Sequence, residues 1–318
     1  MDSIRQSSAG DRQPWYHVAK LVRDWAFWYN NRRLPRISVP RTFNDKIYWR
    51  KIVDRNPQFV IFNDKVLVRD WIANTRPSVN LAKMIWHGPN PRDIPDSALD
   101  EPAMFKANHG CGWNLAYDGQ SPDRETIITT LEGWLSEVFG RKKLAEWAYA
   151  EIPPQALIEQ RLVFENGARP HNYNVHCSDG KVLWVGIFFS DENGQRKLGY
   201  FGEDGSRLPV KMQNIMAAMD DSFRPASPLQ EAIDAAKVLS SGVDYVRCDF
   251  MVTDETLWFN EMTTYSGSGH VKFSDPNYIG RLQEDWDLRK SWFLSQPQPG
   301  LVEIYRKSLL RELNRRAA

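Results

Sequence analysis

The spacing of apolar positions changes along the chain. Over residues 15–33, Val18, Leu21, Val22, Trp25, Phe27, Trp28 and Tyr29 form one broad face at helical spacing, and Pro35 and Pro40 stop it. A second helix is predicted from Asn44 to Asp54, with Ile47, Tyr48, Ile52 and Val53 inward and Thr42 as its cap. A third is predicted from about Asn63 to Ala73. Arg76 to Pro102 is rich in proline and reads as a linker with one short strand, Leu81 to Trp86. Ala103–Ala107 has the character of a buried strand, followed by a turn over 108–114 and a return strand to Tyr117. Ser121 and Pro122 suit the N-cap and first position of a helix ending near Gly140. Gln155–Leu162 is the next strand.

From Tyr173 the period falls to two. Asn172–Cys177 and Lys181–Phe189 flank Ser178-Asp179-Gly180, a hairpin signal. Further strands are predicted at Leu198–Phe201 and Leu208–Lys211. Ser227 and Gln230 have capping-box spacing before a helix to Ser241, with Gly242 beyond. Tyr245–Val252 and Leu257–Glu261 then pair across Thr253–Thr256, and the tail from Trp286 is again helical. Helices, a small mixed unit and a mainly antiparallel sheet follow in order, with boundaries near 1–100, 101–162 and 163–318. The fold class is α+β.

Composition narrows the function. With 41 Lys plus Arg against 40 Asp plus Glu, the chain has no general attraction to nucleic acid or anionic membrane. Arg311, Arg315 and Arg316 read as a solvated helix end. Cys111, Cys177 and Cys248 give neither a disulfide framework nor a CxxC pair, which suits a reducing, cytoplasmic setting. No apolar run is long enough to span a bilayer. Met1–Pro14 is polar, without a signal core, and reads as a disordered lead-in. Of the 13 Trp, many in amphipathic settings (Trp25, Trp28, Trp49, Trp71, Trp134 and Trp147) are expected to pack helices onto the core, with a sugar-binding platform the alternative for an exposed one or two.

The last hairpin carries the strongest chemical signal. Alternation puts Arg247 and Asp249 on one face, and Glu261 on the partner strand can converge on them. Two carboxylates side by side repel unless a cation lies between, and Mg²⁺ takes one or two carboxylates with phosphate and water. Arg247 would add charge for a phosphoryl group. An ordinary charged sheet face fits the same pattern. The loop Thr264–His270, with Ser266, Gly267 and Ser268, follows directly and lets backbone approach a ligand. Lys106, inside an apolar strand and before Gly110 and Gly112, fits a phosphate cradle, or a lysine snorkelling from an edge. Glu159, Gln160 and Leu162 form a segment that could meet an adenine edge. Lys65 is a second candidate phosphate lysine, although a solvated helix face is the commoner origin of such a residue. His109, His171, His176 and His270 have no metal-ligand spacing, so no zinc site is expected.

Taken together, Arg41–Trp49, Asp54–Pro57, Asn63–Lys65, Phe105–His109, Ile152–Gln160, Val246–Phe250 and Asn260–Thr264 with Gly267–Gly269 resemble the TupA-like family of the ATP-grasp superfamily over about residues 40 to 290. The resemblance implies ATP enclosed by two α+β subdomains, 101–162 being the lid and 163–318 the catalytic part, behind a helical N-terminal region. It implies that Lys65, Lys106, His109, Gly110 and Gly112 contact the nucleotide. It assigns Glu159, Gln160 and Leu162 to adenine, and Asp249, Glu261 and Thr263 to Mg²⁺. Arg247 would act on the transferred phosphoryl group, with Asn174, Ser266, Gly267 and Ser268 toward the substrate. Thr263 stands where related ligases carry Asn, and Asn174 where the family tends to carry Lys. The implied activity is ATP-dependent ligation of a carboxylate acceptor to an amine through an acyl phosphate, in surface-polymer or natural-product assembly. A kinase stopping at phosphoryl transfer and a nucleotide-binding scaffold without turnover are the alternatives.

Overall fold

Thr42 fixes where the second helix starts. Its hydroxyl accepts from the Asp45 amide while the Asp45 carboxylate accepts from the Thr42 amide, a complete capping box. The computed structural model describes residues 24–75, 79–139, 145–210, 216–272 and 284–317. The polar N-terminus, the front of the first predicted helix, the Gly140 cap and Lys211 lie outside these residues. Helix α1 covers 24–31 and α2 covers Phe43–Ile52. The predicted third helix is α4 (Leu67–Thr75), and a helix the sequence did not signal, α3 (Gln58–Asn63), precedes it. They break at Asp64, whose carboxylate accepts from the amides of Val66 and Leu67 and so begins a new helix instead of continuing the old one.

The predicted strand at Leu81–Trp86 is two. Strand β1 (Asn80–Leu81) pairs parallel with β11 (Thr256–Thr263), while β2 (Met84–Gly88) pairs with β5 (Ala156–Gln160) in another sheet. Among the described residues the strands form two sheets. The smaller has the order β2-β5-β3-β4, with β3 at Ala103–Ala107 and β4 at Asn114–Tyr117. Helix α5 (Arg124–Ser136) packs Ile127 and Leu131 on it. Asp123, not Ser121, is its N-cap: the Ser121–Pro122 peptide is cis, and Glu137 closes the far end.

The larger sheet has the order β1-β11-β10-β6-β7-β8-β9. Strands β6 (His171–Ser178) and β7 (Lys181–Ser190) turn over at Asp179 and Gly180, both with positive φ, as a two-residue hairpin loop requires. Strand β8 (Arg196–Phe201) follows. The predicted strand at Leu208 is only a bridge between Phe201 and Arg207, and the two-residue β9 (Ala217–Ala218) takes the edge. Helix α6 (Trp147–Ala150) packs against α3. Helix α7 (Leu229–Leu239) lays Ala232, Ile233, Ala236 and Leu239 on the sheet. It begins after Pro228 with no side-chain cap, so the Ser227 capping box does not form. Strand β10 (Val246–Thr253) completes the set. The tail is only partly helical, with a turn at Leu288–Lys290, a short helix Trp292–Ser295 and a long one over Leu301–Ala317. In that long helix Arg315 and Arg316 both pair with Glu312. Trp49, Trp184 and Trp286 are fully buried, but Trp25 and Trp28 are exposed, contrary to the expected core role.

Helix α2 is bolted to the larger sheet by a buried charge. Arg50, with no exposed surface, donates to Asp244 (2.7 Å) and to the carbonyls of Tyr245 (2.9 Å) and Thr264 (2.8 Å). Its guanidinium lies 4.6 Å from the Phe59 ring centre. Trp286 donates to the other Asp244 oxygen at 2.9 Å. Removing one partner of such a pair strands the other in the core. Arg50→Met is therefore expected to cost about 3–5 kcal/mol in urea denaturation. Arg50→Met with Asp244→Asn should cost less than the sum of the two single changes, whereas strict additivity would show that the two groups are not coupled.

Candidate active site

A β-bulge aims the acidic pair. Along β11, Leu257 and Phe259 face the core, and simple alternation would bury Glu261 beside them. The register instead shifts between Asp249 and Phe250: Asp249 faces Glu261, and Phe250 faces Phe259. Asn260 is the extra residue. Beyond it the core face passes to Met262, so Glu261 and Thr263 turn toward Asp249 and Arg247. On the other side of β10, Asp249 pairs with Asn174, which in turn faces Gly186.

Arg247 grips Asp249 with two donors. Nε lies 2.6 Å from Oδ1, and Nη2 reaches Oδ2. Nη2 also meets Thr263 Oγ1 at 3.0 Å and lies 3.9 Å from Glu261, while Nη1 donates to Ser266 Oγ at 3.1 Å. Burial pushes the Asp249 carboxyl up to about 7, and the neighbouring Glu261 pushes the same way against the pull of Arg247. A buried carboxylate, a partly exposed one beside it and a hydroxyl form a hard-oxygen donor set that suits Mg²⁺, provided Arg247 releases part of its hold on Asp249. Among the described residues no three His, Cys, Asp or Glu side chains gather as a complete metal site. The remaining ligands would have to be phosphate and water.

Across from this hairpin stands the small sheet. Lys106 is buried, with Nζ 2.5 Å from Glu159 and 3.4 Å from Asn260 Oδ1 on the larger sheet. Glu159 also meets Arg69 at 3.3 Å. The Glu159 carboxylate is thus committed to two cations, which leaves the main chain near Leu162 for any adenine edge. Lys65, in the break between α3 and α4, donates to the Gly110 carbonyl. Burial pushes its ammonium down, and the charge of Glu261 acts in the opposite direction. Lys65 thereby connects the two walls electrostatically.

Other predicted contacts divide. Gly112 has φ +77° and open space where a side chain would be, as a backbone cradle needs. At Gly110 a Cβ would lie 2.3 Å from the Trp113 ring. His109 is not directed at a ligand: one ring nitrogen meets Asn108 Oδ1 (3.2 Å), the other the Glu137 carbonyl (3.0 Å), and burial pushes its pKa down. Gln160 is exposed, its amide bonded to the Lys83 carbonyl. Leu162 is buried. Ser266 reaches Arg247, but Ser268 is turned onto Lys51 of α2. The sequence reading missed Arg69, Asn260 and Lys51. The consecutive polar pair Asn260-Glu261 was the available signal for the bulge; Arg69 and Lys51 look like ordinary helix charges in one dimension.

Two α+β layers face each other here, with Lys106 on one wall, paired carboxylates with an arginine on the other, and Lys65 linking the two. This is the arrangement of the ATP-grasp class. Residues 45–285 match the family model described as TupA-like ATPgrasp, and the chain belongs to that family. No curated protein matches the sequence. Similar solved structures include D-alanine–D-alanine ligase from Helicobacter pylori, at 15% identity over 76% of this chain and 67% of that one, with TM-score 0.42. The corresponding ligase from Bacillus anthracis gives 15% identity, 80% and 69% coverage and TM-score 0.40. The ATP-grasp ligase PsnB with minimal precursor, Mg and ADP gives 11%, 76%, 66% and 0.39. The chain thus spans about two thirds of the length of these structures.

Beside the site, on the neighbouring strand β6, His176 pairs with Arg247, stacks on Trp184 at 4.2 Å and meets the Tyr245 hydroxyl at 2.8 Å. Burial, and then the charge of Arg247, holds its pKa well below the usual 6.5. The folded state keeps it neutral, while the unfolded chain takes up the proton as pH falls through that value. His176 thus removes stability as pH drops below about 6.5. Asp54, pushed up to about 7 by burial, acts in the opposite direction. The readout is therefore a difference: between pH 7 and pH 5 the urea midpoint of wild type should fall relative to that of His176→Phe. Parallel pH profiles would refute the assignment.

Proposed function

We propose that this protein is a Mg-ATP-dependent carboxylate–amine ligase. One observation carries the reading: Asp249 and Glu261 face each other across a bulged strand pair, with Arg247 among them, Lys106 on the opposite sheet and Lys65 linking the two walls. The lysines would neutralise the phosphate tail, the main chain near Leu162 would meet the base, and residues 101–162 would cover the nucleotide. Asp249, Glu261 and Thr263 would hold Mg²⁺, which when bound supplies charge neutralisation at the transferring phosphoryl group. An acceptor carboxylate oxygen attacks the γ-phosphorus and ADP leaves. An amine then attacks the acyl carbon, and inorganic phosphate departs as the amide forms. Arg247 stabilises the charge that develops on the phosphoryl oxygens, and positioning supplies much of the remainder. Asn174, paired with Asp249, and Ser266, bonded to Arg247, support an acceptor on this side of the cleft. A uronic or amino acid from polymer or natural-product assembly has the required carboxylate.

The test is incubation with Mg-ATP, a panel of uronic and amino acids and amines, reading ADP and product mass together. ADP release is expected only with both acceptor and amine, together with an amide product. Asp249→Asn and Glu261→Gln should each lower turnover by at least about 100-fold. A stable phosphorylated product formed without amine would establish a kinase instead, and turnover untouched by both substitutions would dismiss the site.

A further inference from the structure

The loop after β11 is built in an unfavourable backbone conformation. Gly267, Ser268 and Gly269 have φ of +56°, +53° and +76°, three successive residues in the left-handed region. Ser268 is not glycine and does not adopt this region without cost. Gly267 and Gly269 adopt it freely, but Ser268 stays there only when its surroundings hold it. Here they lie chiefly on one stripe of α2, joined by Asn31 of α1, which donates to the Gly269 carbonyl at 3.4 Å, and by Glu146, which bonds the Ser268 side chain.

Asn44, Ile47 and Lys51 are spaced i, i+3, i+7 and so share one helix face. Asn44 grips the backbone of Val271 at both polar groups: its Nδ2 donates to the carbonyl at 2.8 Å and its Oδ1 accepts from the amide at 3.2 Å. Ile47 fits against Gly269, where an added Cβ would lie 3.5 Å from Ile47 Cγ2 and 3.2 Å from the Asn44 carbonyl. Lys51 donates to the Ser268 carbonyl at 2.7 Å and to its hydroxyl. Lys51 is buried, and its charge is balanced by buried Glu146 at 3.8 Å. The loop's other end is fixed too: Arg50 and Asn63 hold the Thr264 carbonyl and hydroxyl, each at 2.8 Å. Between these anchors stands Ser266, whose hydroxyl meets Arg247.

We infer that the Asn44–Ile47–Lys51 face of α2 is the mould of the active-site loop, and that Lys51 is a positioning residue for the transfer step. It acts at a distance: Lys51 fixes Ser268, the left-handed turn sets Ser266, and Ser266 orients the Arg247 guanidinium toward the reacting groups. The nucleotide lysines are on separate elements, so Lys51 affects the rate and not nucleotide binding. The kinetic part rests on the ligase reading; the loop-fixing part does not.

Lys51→Met paired with Glu146→Gln, Lys51→Arg and Ser268→Ala test this. Hydrogen exchange at the 267–270 amides and the Kd for a non-hydrolysable ATP analogue are measured beside ADP release. In the double variant we expect exchange across 267–270 about tenfold faster or more, with the rest of the sheet unchanged. We also expect kcat down by about 10–100-fold with KM for ATP within about twofold, and partial recovery in Lys51→Arg. Should the double variant not fold, Ser268→Ala and Lys51→Arg carry the same readouts at smaller amplitude. Unchanged loop exchange overturns the proposal, as does kcat that stays at wild type while the loop loosens, or loss of analogue binding in parallel with rate. Should wild type release no ADP with any acceptor, the ligase reading fails alone. Exchange then decides the mould: faster exchange confined to the loop supports it, and faster exchange spread through the sheet overturns it.

Discussion

One ammonium group organises the cleft. Lys106 lies within an apolar strand, and a buried cation is tolerated only when an anion and further acceptors surround it. Glu159, next door on β5, supplies the anion, and Arg69 of α4 shares it. Asn260, from the opposite sheet, supplies a second acceptor. The same cluster therefore holds the small sheet together, ties it to α4 and reaches the hairpin that carries the acidic pair. A change at Lys106 would be felt on both walls.

The carboxylates solve a related problem by a different route. Asp249 and Glu261 are forced close by strand pairing, in a place that penalises the Asp249 charge. Arg247 relieves that penalty in this structure with a two-donor grip. A group that neutralises Asp249 and also touches Ser266 and Thr263 can exchange partners as charge arrives, which is the behaviour phosphoryl chemistry asks of an arginine.

Much of this was legible in the sequence because it follows from local rules. Alternation put Arg247 and Asp249 on one face, and the Asp179-Gly180 hairpin and the Thr42 cap are signals that need no distant partner. The α+β class and the family followed from the order of such segments. What was not legible depends on contacts far apart in the chain. The glycine turn placed His109 beside a phosphate, but two hydrogen bonds draw it inward. Glu159 looked like a base-reading carboxylate, yet Lys106 and Arg69 claim it. Ser268 looked like a substrate contact until Lys51, some 217 positions away, took both its oxygens. The extra helix α3 before Asp64 and the start of α5 past Ser121–Pro122 were missed because short-range propensity alone does not place helix boundaries.

The threading of the chain between its two sheets has a further consequence. After α5 it enters the larger core at α6, where Ala148, Tyr149 and Ile152 are buried, and only then returns as β5 to the small sheet. Asn108 adds a stitch on each side, bonding the Pro153 carbonyl and the Gln155 amide while its own carbonyl accepts from the Lys65 amide. Walls fastened at this many points hold their separation without help from a guest. The disorder that a looser pair of lobes would surrender on each encounter has been surrendered once, during folding, so that a visitor's contacts can go toward affinity instead of assembly.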